Sequence, residues 1–368
     1  MTAFVITCAA LVGACVGSFL NVCIYRLPEE DLSIGQPRTS FCPKCKTPIR
    51  WFDNVPVLGW LLLRARCRSC KAPISARYPM VELLTAATFV LVVLEIGEIP
   101  EPTTSSSAMV LEWLFVHLFW AIVVSALIVI TFIDIDHRII PDEVSVTGAA
   151  LVPFAAWTIS GVPVDPFPPE WGVEGLRWLR LTEPLPAAAE IPVLALAGGL
   201  GAVISMVAFR RFSPAWDGGQ RTWWETRLAA VVGGLAATVL AGATGVGDWL
   251  DRPTTLRLVA SLFGMLVGGG CIYSIGVLGK VIFRKPAMGF GDVKLMALLG
   301  AVLGWKLVLL AVFIACLLGS VVGIAVKVIT RSSYIPFGPF LSAGALVLVF
   351  WGDWVALGLD WYRSLFPR

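Results

Sequence analysis

Runs of about twenty apolar residues recur along the chain, and no other feature constrains it as much. At a rise of 1.5 Å per residue, about 20 such residues let a helix cross a hydrocarbon core of roughly 30 Å. Runs of this kind lie at 3–25, 80–96, 111–133, 144–160, 191–209, 228–246, 258–283, 307–329 and 337–358. A tenth, 293–304, is short, yet it must cross for the charges on either side of it to fall correctly. The composition agrees. The chain is 57% hydrophobic and 14% charged, whereas soluble domains average about 45–50% apolar and about 25% charged. A soluble globule could not hide this much apolar surface. The reading is therefore an all-α polytopic membrane protein with about ten spans. The first run lacks a basic start and a small-x-small cleavage site, so it reads as a span and not a signal peptide.

Orientation follows from the basic residues. With 26–79 in the cytoplasm and strict alternation, 21 of the 28 Lys and Arg fall on the cytoplasmic side, ten of them in 26–79. The same alternation puts both ends of the chain outside. A net charge of +3, with no basic run interleaved with aromatics, argues against a nucleic-acid partner. Glycines at 13/17, 264/268, 300/304 and 319/323 have the small-xxx-small spacing of close helix packing. Residues 161–192 hold seven prolines and two tryptophans and read as an irregular external loop.

Cys42-Pro-Lys-Cys45 and Cys67-Arg-Ser-Cys70 form two C-x2-C pairs with 21 residues between them. Two such pairs are the ligand pattern of a tetrahedral structural zinc site. Disulfides or reduced surface thiols are the alternatives, and the cytoplasmic side disfavours disulfides. A metal would also order a loop of about 50 residues that has little core of its own. The expectation is a small zinc-ribbon-like cytoplasmic domain with Cys42, Cys45, Cys67 and Cys70 as ligands. Cys8, Cys15, Cys23, Cys271 and Cys316 lie inside spans and read as apolar packing residues.

Two carboxylates stand apart from the loop acids. Asp134 closes the third span, and Asp292 opens another after Gly289-Phe290-Gly291. The alternating topology puts both at the cytoplasmic face, although 158 residues separate them. Close carboxylates can share one proton. The ionised one then takes a proton from water while the protonated one polarises a peptide carbonyl, which is aspartic-protease chemistry. Gly289 and Gly291 would let a peptide backbone approach Asp292. Asp136, two residues from Asp134, points to another helix face. Asp136 and Asp142 read as capping or solvated charges, and His137 as an interfacial residue.

At these residues the chain resembles the prepilin peptidases (type IV leader peptidases), whose glycine-x-glycine-aspartate motif is shared with presenilin-type intramembrane proteases. The resemblance extends to Gly17-Ser-Phe-Leu-Asn-Val22 with Arg26-Leu-Pro28, to the cysteine pairs flanking Trp51-Phe-Asp-Asn-Val-Pro56, to Arg77-Tyr-Pro-Met-Val-Glu82 and to Ile335-Pro-Phe-Gly-Pro-Phe340. It covers 1–160 and 258–358. It implies an intramembrane aspartic endopeptidase of the bacterial inner membrane, with Asp134 and Asp292 catalytic and water attacking directly. The implied substrates are type IV prepilins or type II secretion pseudopilins. It also implies N-methylation of the new amino terminus with S-adenosylmethionine.

Two departures from the family pattern are visible. Residues 161–257 form an insertion with two extra spans, and Ala65-Arg66 stands where the family commonly has Gly-Lys. The expected organisation is a first helix (1–25), a zinc loop (26–79), helices carrying Asp134 (80–160), the insertion (161–257) and helices carrying Asp292 (258–368). Rival readings are a transporter with proton-relaying aspartates and a non-catalytic zinc-bearing assembly factor.

Overall fold

The computed structural model describes residues 2–29, 34–35, 39–96, 99–100, 106–159, 253–284, 288–330 and 335–365. Their helices are α1 (Thr2–Arg26), a 3-10 turn (Trp51–Asn54), α2 (Leu58–Leu62), α3 (Arg77–Glu95), α4 (Ser107–His137), α5 (Asp142–Thr158), α6 (Pro253–Phe283), α7 (Phe290–Thr330) and α8 (Gly338–Ser364). Among the described residues no strand forms. Six of the helices, α1, α3, α4, α6, α7 and α8, are long and apolar enough to cross a membrane. The chain is a multi-pass, all-helical membrane protein. The expected spans at 191–209 and 228–246 lie outside the described residues, so the count of ten is not established.

The runs expected at 293–304 and 307–329 are joined in α7, but α7 is not one rod. Gly304 departs from helical geometry with φ 77° and ψ 169°. A methyl on Gly268 of α6 would fall 2.2 Å from the Met296 carbonyl oxygen and 3.0 Å from Val308 Cγ2. Those two atoms are therefore near neighbours, although twelve residues of straight helix would span about 18 Å. The chain doubles back at Gly304, as two separate runs require.

The spaced glycines explain the tightest packing. A methyl on Gly264 would lie 2.1 Å from the Gly300 oxygen, and one on Gly300 would lie 2.0 Å from the Gly264 oxygen. Here α6 and α7 touch backbone to backbone, which only glycine permits. Gly13 and Gly17 similarly admit the α3 backbone, with Ala86 Cα and Glu82 Cα at 2.8 and 2.7 Å from the methyl positions. Gly319 and Gly323 differ, since nothing comes within 3.6 Å of a methyl there, and tight packing does not account for them.

One core gathers Trp120, Leu127, Leu295, Leu299, Leu303, Val308 and Leu341 from α4, α7 and α8. A second joins Leu20 and Ile24 of α1, Val81 of α3 and Ile128, Phe132 and Ile133 of α4. Helix α4 belongs to both. Its 31 residues span about 46 Å, more than the hydrocarbon core, so its ends reach the membrane boundary.

Candidate active site and metal centre

Helix α4 ends at Arg138, which adopts a left-handed conformation with φ 57° and donates from its backbone N–H to the Asp134 carbonyl at 2.9 Å. That cap leaves Asp134 in the last turn, where its residue is only 6% exposed. Asp134 Oδ2 accepts a hydrogen bond from the Gly338 N–H at 3.0 Å. Gly338 is the first residue of α8, so the carboxylate sits at a helix N-terminus, where free N–H groups and the helix dipole favour an anion. A methyl at Gly338 would stand 2.6 Å from Asp134 Oδ2 and 3.4 Å from Ile140 Cδ1. Only glycine lets α8 approach this closely.

Asp292 lies in the first turn of α7, and a methyl on Gly289 would stand 3.6 Å from its Oδ2. A methyl on its neighbour Gly291 would meet Ile140 Cβ at 3.0 Å. Ile140 thus touches both Gly291, beside Asp292, and Gly338, which binds Asp134. The two carboxylates are close enough for their charges to interact. Packing at one end of the bundle has brought together two acids 158 residues apart.

Asp136 and Asp142 are less bland than their sequence context suggests. Asp136 is ion-paired with Arg77 at the start of α3, and that guanidinium also lies over the Phe132 ring at 5.4 Å. Asp142, the first residue of α5, accepts from Lys294 Nζ at 2.5 Å. Sequence reasoning gave no role to Arg77, Ile140, Lys294 or Gly338, although Arg77 and Gly338 lay inside quoted motifs. Only the tertiary contacts single them out. His137 is exposed, as its interfacial reading implies.

The cysteine loop is two copies of one device. Phe41-Cys-Pro-Lys-Cys-Lys-Thr-Pro-Ile49 and Arg66-Cys-Arg-Ser-Cys-Lys-Ala-Pro-Ile74 are offset by 25 residues. In each copy the first cysteine N–H donates to the carbonyl five residues on, at 3.0 Å (Cys42 to Thr47) and 2.8 Å (Cys67 to Ala72). Each turn passes through a left-handed lysine, Lys46 (φ 56°) or Lys71 (φ 58°). The repeat was visible in the sequence as C-x2-C-K-x-P-I. All four Sγ atoms lie within 4.8 Å of one another and could hold a metal ion. Cys45 is drawn down to about 6 by its hydrogen bond with the Thr47 side chain and then by the Thr47 N–H. Cys67 is lowered chiefly by the Cys70 N–H and then by that of Ser69. Both pulls favour the thiolate that metals bind, while burial and the neighbouring cysteines push Cys70 up to about 11.

The loop is braced within itself and tied to α3, whose first turn is tied in turn to α1. Arg68, between Cys67 and Cys70, forms a two-pronged ion pair with Asp53 at 2.6 and 2.7 Å. The Arg68 guanidinium holds the Asp53 carboxyl below the usual carboxylate range. The Val57 N–H donates to Glu82 Oε2 of α3 at 2.7 Å, and Asn21 Nδ2 of α1 donates to the Tyr78 carbonyl at 3.1 Å.

The chain matches the family described as the bacterial peptidase A24 N-terminal domain over residues 11–96, and the type IV leader peptidase family over residues 193–324. A prepilin leader peptidase/N-methyltransferase of Aeromonas hydrophila is 27% identical over 376 residues, covering 95% of this chain and 91% of that protein. One of Neisseria gonorrhoeae is 27% identical over 386 residues, covering 99% and 96%. A third, from Myxococcus xanthus, is 44% identical over 138 residues, 38% of this chain and 36% of that protein. No solved structure matches the chain. With helices, cysteine pairs and converging aspartates all in place, the two matched regions and the chain-long relatives show that this chain belongs to the type IV leader peptidase family.

Proposed function

We propose that this chain is an intramembrane aspartic endopeptidase that removes leader peptides from type IV prepilins or type II secretion pseudopilins, with Asp134 and Asp292 as its catalytic pair. The observation that carries this reading is the convergence of the two carboxylates around Ile140, between a glycine-flanked helix start and the N-terminus of α8. A pair sharing one proton supplies a base for water and an acid for the scissile carbonyl. Attack by water gives a tetrahedral species without a covalent enzyme intermediate. Collapse of that species passes a proton to the leaving amine and restores the shared proton.

A substrate helix lying in the bilayer would present its leader junction where α4 and α7 end. The exposed Gly289 beside Asp292 leaves room for an extended peptide. The orientation from basic residues supports a cytoplasmic site in the bacterial inner membrane. The expected insertion at 161–257 lies almost wholly outside the described residues.

The four cysteines fit zinc. Tetrahedral coordination with Zn–S of about 2.3 Å sets sulfur separations of about 3.8 Å, and Cys42 and Cys70 Sγ stand 3.9 Å apart. Zinc held by Cys42, Cys45, Cys67 and Cys70 would order the two knuckles. Likeness to the named relatives supports N-methylation with S-adenosylmethionine as donor. The described residues show no glycine-rich nucleotide loop, so methyl transfer rests on that likeness alone. The departure at Ala65 is conservative in shape, because Ala65 keeps the left-handed conformation (φ 56°) that a glycine would adopt freely.

The test is to incubate the purified protein with a purified type IV prepilin and labelled S-adenosylmethionine, then weigh the product. A mature product lacking the leader supports the peptidase, and label on its amino terminus supports the transferase. A folded, metal-replete enzyme that cleaves none of several prepilins would contradict the reading.

A further inference from the structure

The charges two residues beyond each aspartate, Asp136 and Lys294, have no role in the proposed chemistry. Asp136 lies in the last turn of α4, where the helix dipole disfavours an anion. Its partner Arg77 opens α3, where a cation is disfavoured, whereas Lys294 is the fifth residue of α7, past its first turn. Only Asp142, opening α5, sits at the end that suits it. Two of these four charges thus sit at helix ends that disfavour them, so helix stability does not account for the set. What they share is a partner on another helix, next to one of the two aspartates.

Both aspartates stand on terminal turns, the part of a helix that frays most readily. Proton sharing and attack on a bound peptide need carboxylates held to about half an ångström. The ion pairs act at this weak point. Lys294 Nζ reaches Asp142 Oδ1 at 2.5 Å with side-chain exposures of 18% and 28%, so water screens the pair only in part. Asp142 follows directly on Ile140-Pro141, the segment leaving Asp134, and Ile140 already packs on Gly291. The pair therefore joins the turn carrying Asp292 to the loop leaving Asp134. On the other side, Arg77 grips the last turn of α4 through Asp136 and the Phe132 ring.

We propose that Lys294–Asp142 and Arg77–Asp136 are positioning clamps that fix the separation of the two catalytic carboxylates, with Lys294–Asp142 as the principal one. The proposal rests on the peptidase reading of Asp134 and Asp292. Neither clamp touches substrate. Their contribution lies in kcat, because they hold the reacting groups and not the ligand.

The experiment measures initial rates of prepilin cleavage by the full chain in lipid nanodiscs. It compares wild type, Lys294→Met, Asp142→Asn, their double variant and the exchanged pair Asp142→Lys/Lys294→Asp, with Asp292→Asn alongside. Each single clamp variant is expected to lose about 10- to 100-fold in kcat with KM nearly unchanged, as for a small misplacement of reacting groups. The double variant should be no worse than the singles, and the exchanged pair should recover most of the loss. Singles within twofold of wild type, losses that multiply in the double, or a loss confined to KM would overturn the clamp. If Lys294→Met fails to insert, Lys294→Arg and the exchanged pair decide the matter: both active supports the clamp, and both folded but slow overturns it. An Asp292→Asn variant that still cleaves would instead refute the underlying peptidase reading, whatever the clamp variants do.

Discussion

The metal loop and the carboxylate site are built by opposite routes. The four cysteines fall within 29 residues, from Cys42 to Cys70, in two copies of a nine-residue knuckle. Each knuckle closes through its own backbone hydrogen bonds, and a shared ion would lock the two together. The aspartates come from helices 158 residues apart and meet only because α4, α7 and α8 pack around Ile140 and three glycines. The loop would need little core, because coordination by the four cysteines would replace one. The proposed catalytic site needs the whole bundle, since a small error anywhere along α7 or α8 reaches Asp292 or Asp134. Disturbance should therefore stay local in the loop and spread in the bundle.

Metal removal should give the largest effect, because structural zinc supplies on the order of 10 kcal/mol to the fold that holds it. A thiol-competing chelator, or Cys67→Ser, should open 39–75 to limited proteolysis while circular dichroism shows the helices intact. Helical signal lost in parallel would erase the contrast drawn here.

Gly300→Ala should spread furthest. Its methyl would stand 2.0 Å from the Gly264 oxygen, and a backbone clash cannot be relieved by a rotamer change. A loss of about 3 kcal/mol, read as a lower unfolding midpoint in detergent, is the expected cost, and cleavage should fall with it.

Gly338→Ala is sharper and more local. The methyl would press on Asp134 Oδ2 at 2.6 Å, and turnover should drop about 100-fold, equivalent to about 2.7 kcal/mol. Stability should change much less than turnover does. Equal losses in both would show that Gly338 serves packing alone.

Ala65→Gly should stabilise the loop by about 1 kcal/mol, because Ala65 holds a φ of 56° that costs an L-residue about that much. Hydrogen-exchange protection across the second knuckle would register it. Asp53→Asn should matter least: Arg68 is half exposed, and such pairs contribute about 1 kcal/mol or less.

Legibility in the sequence follows the same division. The spans and the cysteine pairs are short-range patterns, readable from hydropathy and spacing. Even the break between 293–304 and 307–329 followed from charge placement, and Gly304 supplies it. Asp134 and Asp292 were found only because alternation put both at one face, which specifies a side of the membrane but not a neighbour. Ile140, Gly338, Arg77 and Lys294 escaped because their roles are contacts across 59 to 204 residues of sequence. An isoleucine or glycine in an apolar helix carries no mark of what it will touch. Asp136 and Asp142 looked like solvated charges for the same reason, since their partners lie on other helices.

The measurement that bears most directly on the central claim is the single-turnover rate of prepilin cleavage by Asp134→Asn, Asp292→Asn and the double variant, each shown to be folded. Groups acting as one unit do not add. Both single variants are expected to fall to background, with the double variant no slower than either. A single variant retaining near-wild-type cleavage would contradict the central claim.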